Sequence, residues 1–162
     1  KQVDEQIWDP ASRSLRLSDG STPGGISITG LSNGFQARNE TATVTASSVA
    51  ADDVENIDLT AHKGYVLYGI TADKACRVRL YNSNASRTAD AGRLPQEAPS
   101  ANTGLIAEAV FVSGGTINFT PGVFGYNNES TPTTTVPVAV TNNGSSTQNI
   151  AISLTVLKIE QG

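Results

Sequence analysis

Short runs of β-branched and apolar residues, separated by turn residues, recur along this chain from residue 26 onward. Side chains that branch at Cβ lose rotamer freedom in a helix and pack well on the pleated surface of a strand. The chain has 13 Val, 10 Ile and 18 Thr against 4 Lys, so a helical bundle is not expected. The pattern predicts about eight to ten short strands in one soluble all-β domain.

Two segments are expected to hold the core as hairpins. Residues 65–71 (YVLYGIT) are apolar on both faces, which is typical of a central strand, and residues 65–81 are predicted to form the first hairpin. Residues 134–160 are predicted to form the second, with Pro137 indicating an edge strand because proline has no N–H to donate. The apolar residues change phase after Val156, which indicates a bulge or a strand that leaves one sheet for another.

Strands of this length and spacing fit either a two-sheet antiparallel sandwich of jelly-roll type or a closed barrel. We favour the jelly-roll sandwich, preceded by an extended N-terminal arm. Residues 1–25 are expected to be the arm and its linker, because residues 19–25 (DGSTPGG) are dense in turn residues. Residues 26–162 are expected to be the β-sandwich domain.

The arm carries the only tryptophan of the chain. A tryptophan on a segment without a core of its own needs a partner surface to bury its apolar area. We therefore predict that the arm docks on another subunit through Ile7, Trp8, Leu15 and Leu17. The alternative is that Ile7 and Trp8 fold back on the sandwich of their own domain.

The charge of the chain is acidic overall and unevenly distributed. A net charge of −4 and a pI of about 4.9 argue against a nucleic-acid partner. No Lys or Arg occurs from residue 94 to residue 157, and such a weakly charged surface fits packing against other chains. The alternative is a surface coated with Ser, Thr and Asn. No apolar run approaches the roughly 18–20 residues of a membrane span, so no membrane partner is expected.

The sequence offers little for catalysis or metal binding. His62, the only histidine, lies in a turn without a nucleophile elbow and is expected to be exposed and non-catalytic. One His and one Cys exclude a four-ligand zinc site. The acidic residues at 52, 53, 55 and 58 lack the spacing of an EF-hand loop and are interpreted as a solvated loop. Asp90, Glu97 and Glu108 are the candidates for the pair of carboxyl groups that glycoside cleavage needs, but nothing in the sequence fixes the distance between them. We expect no catalytic residue, no metal and no cofactor.

Five segments together resemble small β-sandwich proteins encoded among the structural genes of tailed bacteriophages. They are residues 65–70 (YVLYGI), 77–81 (RVRLY), 87–93 (RTADAGR), 104–108 (GLIAE) and 151–157 (AISLTVL). The resemblance covers roughly residues 57–160, and the segments are specific as a set rather than one by one. It implies a non-enzymatic virion component of the capsid or the tail.

On this resemblance we expect a capsid decoration (cement) protein, forming a homotrimer, that binds the major capsid protein or other virion proteins through its arm. It would be located in the virion, which is assembled in the host cytoplasm. The alternative is a receptor-binding or glycan-binding domain of a tail fibre, in which exposed aromatics such as Tyr81 or Tyr126 contact a host glycan. A fold alone does not separate these functions.

The arginines of residues 77–93 have a separate physical interpretation. Arg77 and Arg79 share one face of a strand, and the loop that follows brings Arg87, Asp90 and Arg93. Planar guanidinium–carboxylate pairs would pin this long loop against the sheet. The alternative is that these arginines contact an acidic capsid surface or an anionic sugar.

Overall fold

The computed structural model describes residues 39–101 and 103–160, together with the backbone of three short strands before residue 39. The chain divides into two compact units, Lys1–Arg38 and Asn39–Gly162. Each unit has its own sheets, so each is described by itself.

The first unit contains a three-stranded antiparallel sheet in the order β1-β2-β3, formed by β1 (Glu5–Asp9), β2 (Ser14–Ser18) and β3 (Ile26–Ser27). Strand β1 was not expected from the sequence. The side chains of the predicted arm residues lie outside the described part of the chain, so the docking prediction stays a prediction for Ile7, Trp8, Leu15 and Leu17.

The second unit is an all-β sandwich of two antiparallel four-stranded sheets packed against each other. One sheet has the strand order β5-β10-β7-β8 and the other β4-β11-β6-β9. In chain order the described elements of this unit are β4 (Glu40–Val49), β5 (Val54–Thr60), β6 (Gly64–Ala72), β7 (Cys76–Tyr81), α1 (Asn84–Ala89), β8 (Leu105–Phe111), β9 (Gly115–Tyr126), β10 (Thr135–Asn142) and β11 (Gln148–Glu160).

The strand pairs of the sandwich are nested. The first strand pairs with the last (β4 with β11), the second with the seventh (β5 with β10), and then β6 with β9 and β7 with β8. The pairs β6–β11 and β7–β10 join these ladders into sheets. Strands β4 and β5 contact each other at one edge of the sandwich, and β8 and β9 at the opposite edge.

Both predicted hairpins are wrong, for the same reason. Strand β6 lies in a different sheet from β7, and β10 in a different sheet from β11. Each short turn passes from one sheet to the other, so strands that are neighbours in sequence face each other across the core. The edge position predicted from Pro137 is also wrong, because β10 lies between β5 and β7. Pro137 is opposite Asp58 of β5, and the ladder with β7 begins only at Val138, one residue later.

Other strand predictions are confirmed. Strand β6 is an inner strand of its sheet, as its apolar faces indicated. Strand β11 buries Ile150, Ile152, Leu154 and Val156 in the core. Its pairing with β6 shifts register at two places. Between Thr155 and Val156 the extra residue, Tyr68, lies on β6, and between Lys158 and Glu160 the extra residue, Ile159, lies on β11. The second shift is the bulge that the change of apolar phase after Val156 predicted.

Strand β7 is buried on both faces. Its inner residues Cys76, Val78 and Leu80 belong to the hydrophobic core. Its outer residues Arg77, Arg79 and Tyr81 would face solvent on an open sheet, yet they are 3%, 1% and 1% exposed. Side-chain contacts from the segment that connects β7 to β8, described below, account for this burial.

Candidate functional site

Six side chains form a buried polar network on the outer face of the sheet β5-β10-β7-β8. Three come from β7, one from β8, and two from the segment of residues 83–101, which we call the covering segment. The network, called the outer-face cluster below, consists of Arg77, Arg79, Tyr81, Asp90, Arg93 and Glu108.

Asp90 is the centre of the cluster and is 3% exposed. Its carboxylate accepts hydrogen bonds from the Tyr81 hydroxyl at 2.7 Å and from Arg93 Nε at 2.9 and 3.0 Å. Arg79 Nη1 donates to the Asp90 backbone carbonyl at 3.1 Å and lies 3.5 Å from its carboxylate. A buried carboxylate with this many donors is held in its charged form and fixes the chain on either side of it.

Glu108 forms the second half of the cluster from the adjacent strand, where it pairs in register with Arg79. It accepts from Arg77 Nε at 2.6 Å and from Arg93 Nη2 at 2.6 Å. Arg93 therefore bridges both carboxylates. It also donates to the backbone carbonyl of Glu97 at 3.1 Å, so a later part of the covering segment is linked through Arg93 to Glu108 of the sheet.

The pKa shifts of the two carboxyl groups follow from these contacts. Burial by itself raises the pKa of Asp90, but the hydrogen bonds from Tyr81 and Arg93 and the charges of Arg93 and Arg79 outweigh it, so the pKa is lowered. Burial likewise raises the pKa of Glu108, but the hydrogen bonds and charges of Arg77 and Arg93 outweigh this effect, so the pKa is lowered. Both carboxylates are ionised at neutral pH and are occupied by arginines, so neither is poised to act as a general acid.

The pKa values of the Tyr81 phenol and of the Arg93 guanidinium are raised rather than lowered. The pKa of Tyr81 is raised by burial and by its hydrogen bond to the charged Asp90. Burial alone lowers the pKa of Arg93, but its bonds to Glu108 and Asp90 outweigh this effect and raise it. The cluster is therefore a fixed set of charges across the ordinary pH range.

Arg87 lies outside the cluster and holds helix α1 against the sheet. Its Nη1 donates to the backbone carbonyls of Ile57 at 2.7 Å and Val138 at 3.2 Å, and to Asp58 Oδ1 at 3.0 Å. The helix itself begins after Ser83, whose hydroxyl accepts from the backbone N–H of Ser86 as an N-cap. Arg87 thus links α1 to both β5 and β10.

The structure brings Arg77, Arg79, Asp90 and Arg93 together and places Arg87 on neighbouring backbone. Sequence reasoning did not assign Glu108 or Tyr81 to the network. The sequence signal for these two residues is their position on the polar face of strands with alternating apolar residues. That signal identifies them as members of the network only once β7 and β8 are known to pair. The expectation that Tyr81 is an exposed aromatic is wrong, because its ring is covered and its hydroxyl binds Asp90.

The prediction that His62 is exposed is wrong. Its side chain is 12% exposed, and Nε2 lies 2.7 Å from Glu40 Oε2. Among residues 39–101 and 103–160, no group of three or more His, Cys, Asp or Glu side chains is placed to hold a metal ion. In the same described part of the chain, no helix is long and apolar enough to cross a membrane.

A second surface of interest lies on the outer face of the other sheet. Leu157, Val66 and Phe124 lie opposite one another on β11, β6 and β9 and form an apolar row across three strands. Phe124 is 59% exposed, and its ring centroid is 6.1 Å from that of Tyr126, which is 44% exposed. Tyr126 lies two residues beyond Phe124 on β9 and extends this surface, and the four residues Leu157, Val66, Phe124 and Tyr126 are together called the apolar row.

No family model matches the chain, and no curated protein matches it.

Proposed function

We propose that the sandwich is of the jelly-roll type. The support is the nested pairing of its eight strands, in which the first pairs with the last and the fourth with the fifth. A long hairpin that folds over on itself places alternate ladders in opposite sheets, which gives two Greek-key sheets of four strands each. Folds of this type serve capsid and lectin domains, so the fold is compatible with both candidate functions.

We further propose that the protein is a non-enzymatic virion structural protein, a capsid decoration protein that binds the head shell through its N-terminal arm and through contacts between subunits. The observation that carries this proposal is the apolar row on an open sheet face. Phe124 and Tyr126 are exposed, and Val66 and Leu157 beside them are half-buried. Contiguous apolar side chains that remain in contact with water mark interaction surfaces, because leaving them there is unfavourable. In residues 94–157, which contain Phe124 and Tyr126, there is no Lys or Arg to oppose the approach of another chain.

The outer-face cluster supports a structural role for the opposite sheet. Its carboxylates are neutralised by arginines rather than held for reaction, and the cluster fixes the covering segment. The proposal therefore assigns the two outer faces different tasks: the β5-β10-β7-β8 sheet is closed by its own chain, and the β4-β11-β6-β9 sheet contacts a partner.

Co-sedimentation with heads that lack this protein tests the proposal. The full chain should bind, a chain without residues 1–25 should not, and Phe124→Ser should weaken binding and lower the oligomer mass measured by light scattering. Val54→Ser is the matched control, because Val54 is 37% exposed on β5 of the other sheet. The truncated chain keeps the whole compact unit Asn39–Gly162, so its circular dichroism should remain that of a β-protein.

Unchanged head binding by the chain without residues 1–25 would refute the arm as the attachment. Equal effects of Phe124→Ser and Val54→Ser would refute the apolar row as a contact surface.

A second candidate function is glycan binding by a tail fibre, and the Phe124–Tyr126 pair favours it. The two rings are tilted by 32° and both are exposed, so they could stack on a sugar ring. A glycan array with the purified full chain separates the candidates. Sugar binding that is lost in Tyr126→Ser would support the tail-fibre function, and arm-dependent binding to heads without sugar binding would support decoration.

A further inference from the structure

A pocket of about 320 Å³ lies beside the outer-face cluster, between the covering segment and the sheet. Ala91 to Pro95 of the covering segment line one side of it. Its polar lining comes from Arg77 and Arg79 of β7, from Thr141 of β10 with Asn143 in the turn that follows, and from Asp52 in the turn between β4 and β5. This volume is at the small end of the range for ligand pockets, about 300–1,000 Å³.

Three residues of this pocket carry buried polar atoms without a partner in the protein. Among the described residues, the buried side-chain atoms with no hydrogen-bond partner are Arg77 Nη2, Arg79 Nε, Thr141 Oγ1 and Tyr65 OH, and the first three belong to residues that line the pocket. Thr141 lies opposite Arg77 in the β10–β7 ladder, so their side chains share one face. A buried donor without a partner is costly, and native structures rarely leave several side by side.

The charge of the cluster indicates the sign of the missing partner. Three guanidinium groups (Arg77, Arg79 and Arg93) face two carboxylates (Asp90 and Glu108), which leaves one positive charge in excess. A guanidinium offers its donors in a planar fork that matches the two oxygens of a carboxylate. A single carboxylate group would both neutralise the cluster and accept from the unpartnered nitrogens.

We propose that this pocket binds a small ligand with one carboxylate group, held by Arg77 Nη2, Arg79 Nε and the Thr141 hydroxyl. This site is separate from the apolar row and does not depend on the proposed function. Asp52 is exposed at the pocket and carries a negative charge, so it disfavours ligands with two negative charges. Its carboxylate can instead accept from a ligand hydroxyl, which favours a hydroxylated carboxylate such as a sugar acid.

Titration calorimetry of the full chain at constant ionic strength tests the proposal with three probes. Glucuronate has a carboxylate and hydroxyls, acetate has the carboxylate alone, and glucose has the hydroxyls alone. Glucuronate should bind most tightly, acetate more weakly, and glucose not at all.

Two variants locate the binding. Thr141→Val removes a hydroxyl that has no partner in the protein, so the chain should fold with undiminished stability while glucuronate affinity falls about tenfold. Thr155→Val on β11 is the matched control and should leave the affinity unchanged. Asp52→Asn should strengthen acetate binding about twofold, because it removes a negative charge near the ligand. Asparagine tolerates the positive φ of 60° at this position.

Binding of glucuronate or acetate that weakens in Thr141→Val and not in Thr155→Val supports the site. The proposal is overturned if neither carboxylate binds at millimolar concentration, which would mean that water alone serves these donors. It is equally overturned if Thr141→Val binds as well as the unmodified protein, which would mean that the anion lies elsewhere.

Discussion

Replacing Asp90 with asparagine tests whether the outer-face cluster holds the covering segment in place. Asparagine keeps the shape of the side chain and removes its charge. Arg79, which is 1% exposed, then loses its carboxylate partner, while Arg93 keeps Glu108 at 2.6 Å. Removing one partner of a buried ion pair costs about 3–5 kcal/mol, and the remaining bonds place Asp90→Asn near the lower figure, about 3 kcal/mol.

Urea unfolding followed by circular dichroism measures this effect. With a denaturant slope of about 2 kcal/mol/M, a loss of about 3 kcal/mol lowers the urea midpoint by about 1.5 M. Asp58→Asn is the matched control, because Asp58 pairs with Arg87 at 3.0 Å but its side chain is 53% exposed. An exposed pair contributes about 0–1 kcal/mol, so the control should shift the midpoint by less than about 0.5 M. Equal shifts in the two variants would refute the structural role of the cluster.

Three further predictions follow from individual residues. Because the pKa values of Asp90 and Glu108 are lowered in the folded protein, the unfolded chain binds more protons below about pH 4, and the free energy of unfolding should fall steeply there as pH drops. Asp90→Asn should make this pH dependence less steep. An unchanged slope in the variant would contradict the lowered pKa of Asp90. Cys76, with its pKa raised to about 12 chiefly by burial, should react with a thiol reagent at neutral pH only after unfolding, and rapid labelling of the native protein would contradict this burial. Gly104→Ala should destabilise the fold by about 1–3 kcal/mol in urea unfolding, because φ there is +61° and a Cβ would overlap Asn82 and Ser86; a variant as stable as the unmodified protein would contradict this local geometry.

Much of the sandwich could be predicted from the sequence, because apolar and polar residues alternate locally along a strand. The strands that contain residues 65–71 and 150–156 were placed from their apolar patterns alone, and the bulge at Ile159 from the change of apolar phase after Val156. What local patterns do not encode is the partner of each strand. A short turn such as the one between Ala72 and Cys76 can close a hairpin or cross between sheets, and only packing of both faces decides.

The candidate site shows the same division. The spacing of Arg77, Arg79 and Asp90 suggested guanidinium–carboxylate pairing, because charged residues on alternate positions of a strand need partners when a loop covers them. Glu108 and Thr141 could not be assigned to that site, since they come from strands whose pairing with β7 places Glu108 opposite Arg79 and Thr141 opposite Arg77, which are 29 and 64 positions apart in the chain. The unpartnered donors of the pocket become visible only after those pairings place them together.

Labelling of phage particles for the presence of this protein tests the central proposal most directly. Electron microscopy of virions labelled with gold-conjugated antibodies against the sandwich shows whether it lies on the head or on the tail. Capsid decoration predicts label distributed over the head surface, and its loss when the full chain is replaced by one without residues 1–25. Label confined to tail fibres would contradict decoration and favour the glycan-binding function.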